Sequence, residues 1–118
     1  MGGTKMKLNI YKGKETIKRY EADVADISFA VMEDVANAVD LDSLQSSDDK
    51  AIMGAVIKFV MKSTGTVKEL LKEIFDGITD EDIRGAHIVD ICEVFVDVAR
   101  YTISELTRRL TGKNLHRE

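Results

Sequence analysis

The sequence predicts a mainly α-helical fold in which a short N-terminal β-hairpin is followed by about four helices, the last one long and central. Three observations lead to this prediction. Apolar residues recur three and four positions apart over most of the chain, which is typical of amphipathic helices. Two short alternating runs flank a glycine near the start, and proline, which interrupts helices, is absent.

The chain has 118 residues, a length that suits one compact domain. We expect this domain to occupy residues 6–110. A second methionine at position 6 indicates that residues 1–5 are an added segment ahead of the native start. The last segment, residues 111–118, is polar and is expected to be a flexible tail.

The hairpin is predicted from two alternating runs, Lys7–Tyr11 and Thr16–Tyr20, separated by a break centred on Gly13. An isolated hairpin is only marginally stable in water. We therefore expect it either to lie on the helices or to join a sheet from another chain.

The first two helices are predicted from their apolar spacing. Asp23 or Asp26 can cap a helix that runs to about Val39. The polar, serine-rich stretch 41–49 is predicted to be a loop, after which a second helix is expected from Ser47 or Asp48 to Lys62. Gly54 lies inside that helix and indicates either a close helix crossing or simple tolerance of glycine.

The third helix is predicted over Val67–Asp76, with Thr66 and Glu69 as a capping box and Gly77 just past its end. A fourth helix is expected to begin at the run 79–82, whose acids suit the positive end of a helix dipole.

The long segment Gly85–Leu110 is the most informative feature of the sequence. Its apolar residues cover most of the helix circumference and leave a narrow polar line, with Gly85 as a possible kink. Such a helix must be covered by other helices or by another chain. The side chains of Ile88, Phe95 and Ala99 are therefore expected either to form the core or to line a subunit contact.

Charge is distributed unevenly along the chain. Among the first twenty residues there are six basic side chains and one acidic one, whereas residues 21–50 contain nine acidic side chains and one basic one. These blocks can neutralise each other within the fold, pair between subunits or simply remain solvated. The net charge of −4 argues against dedicated nucleic-acid binding.

No catalytic or metal motif stands out. His87, Asp90 and Glu93 share a helix face, but no second cluster supplies further ligands, so a solvated polar stripe is favoured over a metal site. Cys92 is the only cysteine and lies among apolar residues, which favours core packing. We expect no enzymatic activity and no cofactor. No apolar run is long enough for a membrane span, and a cytoplasmic location is expected.

A protein-contact function is the remaining hypothesis. Methionine suits surfaces that accept varied apolar partners, although filling of the core is its commoner role. The candidate contact residues combine three methionines with residues of the last helix: Met32, Met53, Met61, Ile88, Phe95, Ala99, Ile103 and Leu106.

The layout of residues 6–110 resembles a known family. The hairpin Lys7–Lys14, the acidic first helix and the closing stretch Asp90–Ala99 together look like tail assembly chaperones of long-tailed bacteriophages, in particular those of phages and prophages of Gram-positive hosts. The family has no fixed site motif, so no residue-level role is carried over.

The resemblance implies a small, helical, non-enzymatic protein of the bacterial host cytoplasm. Such a protein would bind the tape measure protein, keep it soluble and help to recruit tail tube subunits. It also implies possible self-association and, in many members, a longer form made by translational frameshifting. Two other interpretations stay open: a small helical adaptor that acts as an obligate dimer, and a small enzyme or metal protein.

Overall fold

The computed structural model describes the backbone of residues 5–39 and 49–116 and the side chains of residues 5–39 and 50–105. It confirms the predicted fold class. An antiparallel hairpin of β1 (Lys5–Lys12) and β2 (Glu15–Asp23) comes first. The helices follow in chain order: α1 (Phe29–Ala38), α2 (Asp49–Lys62), α3 (Thr64–Ile74), α4 (Asp80–Arg84) and α5 (Ile88–His116).

The hairpin lies on the helices of its own chain. Met6, Leu8 and Ile10 alternate along β1 and are almost fully buried, with 1%, 0% and 2% of their surface exposed. The turn contains Gly13 at a φ of 65°, a left-handed conformation that glycine adopts without strain. The register shifts between Ile10 and Tyr11, where β2 has one extra residue. Burial of one face of β1 therefore holds the hairpin in place.

The first helix begins later than predicted. Asp23 does cap a helical segment, but that segment is the short 3-10 turn Val24–Asp26, in which the Ala25 N–H donates to the Asp23 carboxylate at 2.9 Å. α1 then starts at Phe29, where the Ser28 hydroxyl accepts a hydrogen bond from the Val31 N–H at 3.2 Å. The predicted start at Asp23 or Asp26 was wrong because a second capping residue follows.

The predicted capping box at Thr66 was also wrong. The Val67 N–H already bonds to the Ser63 carbonyl at 2.9 Å, so Thr66 is inside α3 and Ser63 is its cap. The helix also ends earlier than predicted, at Ile74. Gly77 does adopt a positive φ of 86° in the turn that follows. Residues 41–48 of the predicted loop, and with them the predicted helix start at Ser47 or Asp48, lie outside the described residues, whereas Asp49 is already part of α2.

A break at residues 85–87 separates α4 from α5. The fourth helix starts in the run 79–82, as predicted, and its start has a capping box: the Asp82 N–H donates to the Thr79 hydroxyl at 3.1 Å, and the Thr79 N–H donates back to the Asp82 carboxylate. Gly85 then ends α4, and the Tyr11 N–H donates to the Gly85 carbonyl at 2.8 Å. Ala86 forms a β-bridge with Ile10.

The predicted helix start at Gly85 was therefore wrong, because residues 85–86 bond to the edge of β1 instead of to the helix. α5 begins at Ile88 and runs on past Leu110 to His116. At the predicted N-terminal boundary, Lys5 is already the first residue of β1.

α5 is the central helix of the core. Phe95, Val98 and Ala99 are fully buried, and α5 packs on β1, α1 and α2. Phe59 of α2 meets Phe95 edge to face, with ring centroids 5.4 Å apart. Within the described residues, none of the helices has the length and apolar character that crossing a membrane requires.

We expect Gly85→Ala to destabilise the protein by about 1–3 kcal/mol, the usual cost of overpacking. A Cβ atom at this position would lie 2.9 Å from the Tyr11 carbonyl oxygen and 3.1 Å from Ile10. Both neighbours belong to the buried strand and cannot move freely. The measurement is urea unfolding followed by circular dichroism.

The matched control is Gly54→Ala. A Cβ there meets nothing within 4 Å, so Gly54 does not mark a close helix crossing within the described chain. This substitution should stabilise α2 by about 0.5–1 kcal/mol through helix propensity. Equal effects at the two positions would contradict the close approach of β1 to Gly85.

Candidate protein-contact surface

An exposed apolar row runs along α2. Met53, Ile57 and Met61 follow one another at intervals of four, which places them on one side of the helix. Ile57 is 45% exposed and Met61 61% exposed. The core side of the same helix is formed by other residues, including Ile52, Val56 and Phe59. α2 is therefore apolar on two sides, and its own chain covers only one of them.

The first turn of α5 continues this surface. Ile88 and Val89 are 47% and 64% exposed, although both are large apolar residues. Together with α2 they form a cavity of about 180 Å³, here called the apolar groove, whose lining is wholly apolar: Met53, Ile57, Ile88, Val89 and Cys92. This groove is the feature of the described surface best suited to holding an apolar group of a partner.

The predicted contact residues divide between surface and core. Met61 and Ile88 are exposed, and Met53 lines the apolar groove. Phe95 and Ala99, for which the sequence allowed either a core or a contact position, are fully buried in the core of this chain.

The remaining predicted residues contribute less. Met32 and Ile103 are half-buried, and the side chain of Leu106 lies outside the described residues. Ile57 and Val89 line the groove but were missed. The spacing of Ile57 from Met53 and Met61 was the available signal, since it makes a second apolar row on α2.

A second cavity, of about 450 Å³, lies between β1 and α5 and is here called the charged groove. Its charged side chains are Lys5 and Lys7 of β1 and Glu93, Asp97 and Arg100 of α5. Burial raises the pKa of the Asp97 carboxyl, with Glu93 acting in the same direction and Arg100 against it. Met53 lines both grooves, so the apolar and charged surfaces adjoin.

A polar cluster joins the hairpin to α4. The Asp82 carboxylate is 10% exposed and accepts hydrogen bonds from the Tyr20 hydroxyl at 2.6 Å and from the Lys18 ammonium at 3.3 Å. The Tyr20 hydroxyl, and after it the Thr79 N–H and Lys18, hold the pKa of Asp82 below its ordinary value of 3.8, although burial opposes them. Asp82 was expected among the acids at the start of a helix, and this long-range role was missed.

The residues considered for metal binding have other surroundings. The His87 ring stacks on Tyr11, with centroids 3.9 Å apart and planes 13° from parallel. One oxygen of Asp90 is buried without a hydrogen-bond partner. Within residues 5–39 and 50–105, no group of three His, Cys, Asp or Glu side chains is arranged to hold a metal ion.

Comparison of the chain with protein-family models, with curated proteins and with solved structures gives no significant match.

We expect Asp82→Asn to lower the melting temperature at pH 7 and to lower it less as the pH falls below about 4. The folded-state pKa of Asp82 is depressed, so its carboxylate stabilises the fold above the unfolded-state pKa. That contribution is lost as the pH falls through the folded-state value. Thermal unfolding of both proteins at pH 7 and pH 3 measures the difference.

Asp80→Asn is the control for that experiment. Asp80 lies on the same helix and pairs with Lys72 at 2.8 Å, but its side chain is 62% exposed. An exposed ion pair contributes little, so Asp80→Asn should change the melting temperature less than Asp82→Asn at pH 7. A pH-independent effect of Asp82→Asn would refute the role of its charge.

We expect Cys92 to react much more slowly with a thiol reagent in the native protein than in urea. It is 4% exposed, and burial raises the pKa of its thiol above the ordinary value of 9.0, which reduces the reactive thiolate. Val89→Ala shortens one wall of the groove and should accelerate the native reaction, measured from the release of a coloured product. Native and unfolded rates that coincide would contradict this burial.

Proposed function

We propose that this protein is a phage tail assembly chaperone that binds the tape measure protein, keeps it soluble and helps to recruit tail tube subunits. The observation that carries the proposal is the apolar groove between α2 and α5. The groove presents Ile57, Val89 and Ile88 to solvent beside the buried Cys92.

The groove suits the apolar face of a helix. A helix that docks in a groove inserts side chains spaced three and four residues apart. The row Met53–Ile57–Met61 has the same repeat along α2. Methionine side chains adapt their shape to different partners, which suits a client whose apolar residues vary along a very long helix.

The size of the groove favours a protein partner over a small-molecule ligand. Its volume is about 180 Å³, whereas small-molecule sites usually occupy about 300–1,000 Å³ and contain a few well-placed polar groups. Among the residues that the structure describes, none that lines this groove is polar. A binding role is therefore a better account of it than an enzymatic role.

The finer parts of the proposal rest on the resemblance in sequence layout. A tape measure protein is a long helical polypeptide, and its apolar stripes need cover before tail tube subunits surround it. Recruitment of those subunits, work in the host cytoplasm and self-association along the client belong to the same proposal. An adaptor that dimerises through this groove is the alternative that the experiment must separate.

The proposal implies that a tape measure protein is encoded near this chain. The test is co-expression with that protein, comparing the native protein with Ile57→Lys. The native protein should bring the client into the soluble fraction and co-purify with it. Ile57→Lys places a charge in the groove and should reduce the recovered complex by roughly tenfold, the loss expected from about 1.4 kcal/mol at an interface anchor.

Ile17→Lys is the matched control, because it makes the same change at an isoleucine of β2 that is 53% exposed and lies outside the lining of the groove. It should leave the complex intact. If the client stays insoluble with the native protein, the chaperone proposal fails. If instead a stable dimer forms, does not bind the client and is dissociated by Ile57→Lys, the protein is the adaptor.

A further inference from the structure

One edge of β1 is only partly used. β2 pairs along one side of the strand. On the opposite side, the bridge from Ile10 to Ala86 and the hydrogen bond from the Tyr11 N–H to the Gly85 carbonyl occupy the end nearest the turn. Within the described residues, no further strand continues this pairing toward Lys5. An unpaired strand edge is a template for another extended chain.

The direction of the unpaired groups follows from the alternation of a strand. The Tyr11 N–H points away from β2, toward Gly85. The extra residue at the register shift belongs to β2, so β1 keeps its regular alternation. Backbone groups of every second residue point to the same side. The N–H and C=O groups of Asn9, Lys7 and Lys5 therefore face the open edge.

The charged groove runs beside this edge. Lys5 and Lys7 lie on the opposite face of β1 from the buried residues Met6 and Leu8, yet they line one cavity with Glu93 and Asp97 of α5. The inner face of β1 packs against the helices, so a cavity lined both by outer-face residues of β1 and by α5 must pass along the edge of the strand. The edge 5–9 is about 17 Å long at roughly 3.3 Å per residue, enough for a short added strand.

The charges select the occupant. Side chains of an added strand that share the outer face of β1 would lie next to Lys5 and Lys7. Lys5 already pairs with Glu21 of β2 at 3.6 Å, and Glu93 and Asp97 are on the α5 wall of the groove, so Lys7 is the position that most favours an acidic residue of the partner. A second copy of β1 would instead bring lysine close to lysine, an arrangement that proteins use to prevent edge pairing. Side chains on the inner face would meet Val94, Val96 and Met53, which suit small apolar residues.

We propose that the open edge of β1 binds an extended segment of a partner protein in which acidic residues alternate with small apolar ones. The segment adds as a third strand in line with residues 85–86 and fills the charged groove. This site is separate from the apolar groove, and it does not depend on the function proposed above.

The probe is an end-blocked eight-residue peptide of alternating aspartate and valine, added to the full chain. Binding should slow the hydrogen exchange of the outward amides of Lys5, Lys7 and Asn9, measured by nuclear magnetic resonance. The same peptide with lysine in place of aspartate should bind more weakly. Equal binding of the two peptides, or protection confined to other residues, would overturn the proposal.

Lys7→Glu provides the second arm, with Lys14→Glu as its control. Both lysines are exposed and belong to the hairpin, but Lys14 is in the turn and outside the groove. Lys7→Glu should weaken binding of the aspartate peptide by roughly fivefold, which corresponds to the upper range of about 1 kcal/mol for a surface charge pair, while Lys14→Glu should change the affinity much less. Circular dichroism checks that both variants fold.

Failure of the peptide to bind the native chain at millimolar concentration would refute the site. The site is equally refuted if the free protein is a dimer whose Lys5 and Lys7 amides are already protected, since a second copy would then occupy the edge. Neither result bears on the apolar groove, because Ile57→Lys and the tape measure protein test that surface separately.

Discussion

The attachment of β1 to α5 is the constraint on which the rest of the structure depends. Met6, Leu8 and Ile10 are almost fully buried, and a two-stranded hairpin has little stability without such cover. Two sets of hydrogen bonds fix its position. The Asp82 carboxylate accepts hydrogen bonds from Tyr20 and Lys18 of β2, and the Gly85 carbonyl accepts one from the Tyr11 N–H of β1. The hairpin thus takes the place of a further helix in covering α5.

Both grooves are consequences of that attachment. Because β1 bonds to residues 85–86, α5 begins at Ile88, and its first turn stands beside α2 with Val89 exposed. Farther along α5, the strand and the helix leave the charged groove between them. Met53 lines both the apolar groove and the charged groove, so the two grooves lie next to each other on the surface.

The elements themselves were predictable because their signals are local. The alternation of apolar residues in β1 and the three- and four-residue apolar spacing of the helices do not depend on how the elements pack together. Helix starts were less predictable. Asp23 caps only a short 3-10 turn, after which Ser28 caps α1, and α3 begins ahead of Thr66, with Ser63 in the N-cap position but without a side-chain hydrogen bond. Gly85 was expected as a possible kink, but the full break at residues 85–87 was not predicted, because its cause, the pairing with Ile10 and Tyr11, is distant in sequence.

The contact surface was predictable only in part for a related reason. Apolar spacing identifies helices with more than one apolar face, but it does not indicate which face is buried against the rest of the same chain. Of the candidate residues, Met61 and Ile88 are exposed, whereas Phe95 and Ala99 belong to the core. The choice is made by the crossing of α2 over α5, which brings Phe59 onto Phe95. No local pattern encodes that crossing.

The distance in sequence between β1 and its support has a consequence during synthesis. The first strand leaves the ribosome about ninety residues ahead of the middle of α5, which at about 5–20 residues per second is a wait of roughly 5–20 s. Throughout that interval Met6, Leu8 and Ile10 have nothing to pack against. The lysines interspersed among them keep this nascent strand hydrated, so the same charges that line a groove in the finished protein guard its growing chain against aggregation.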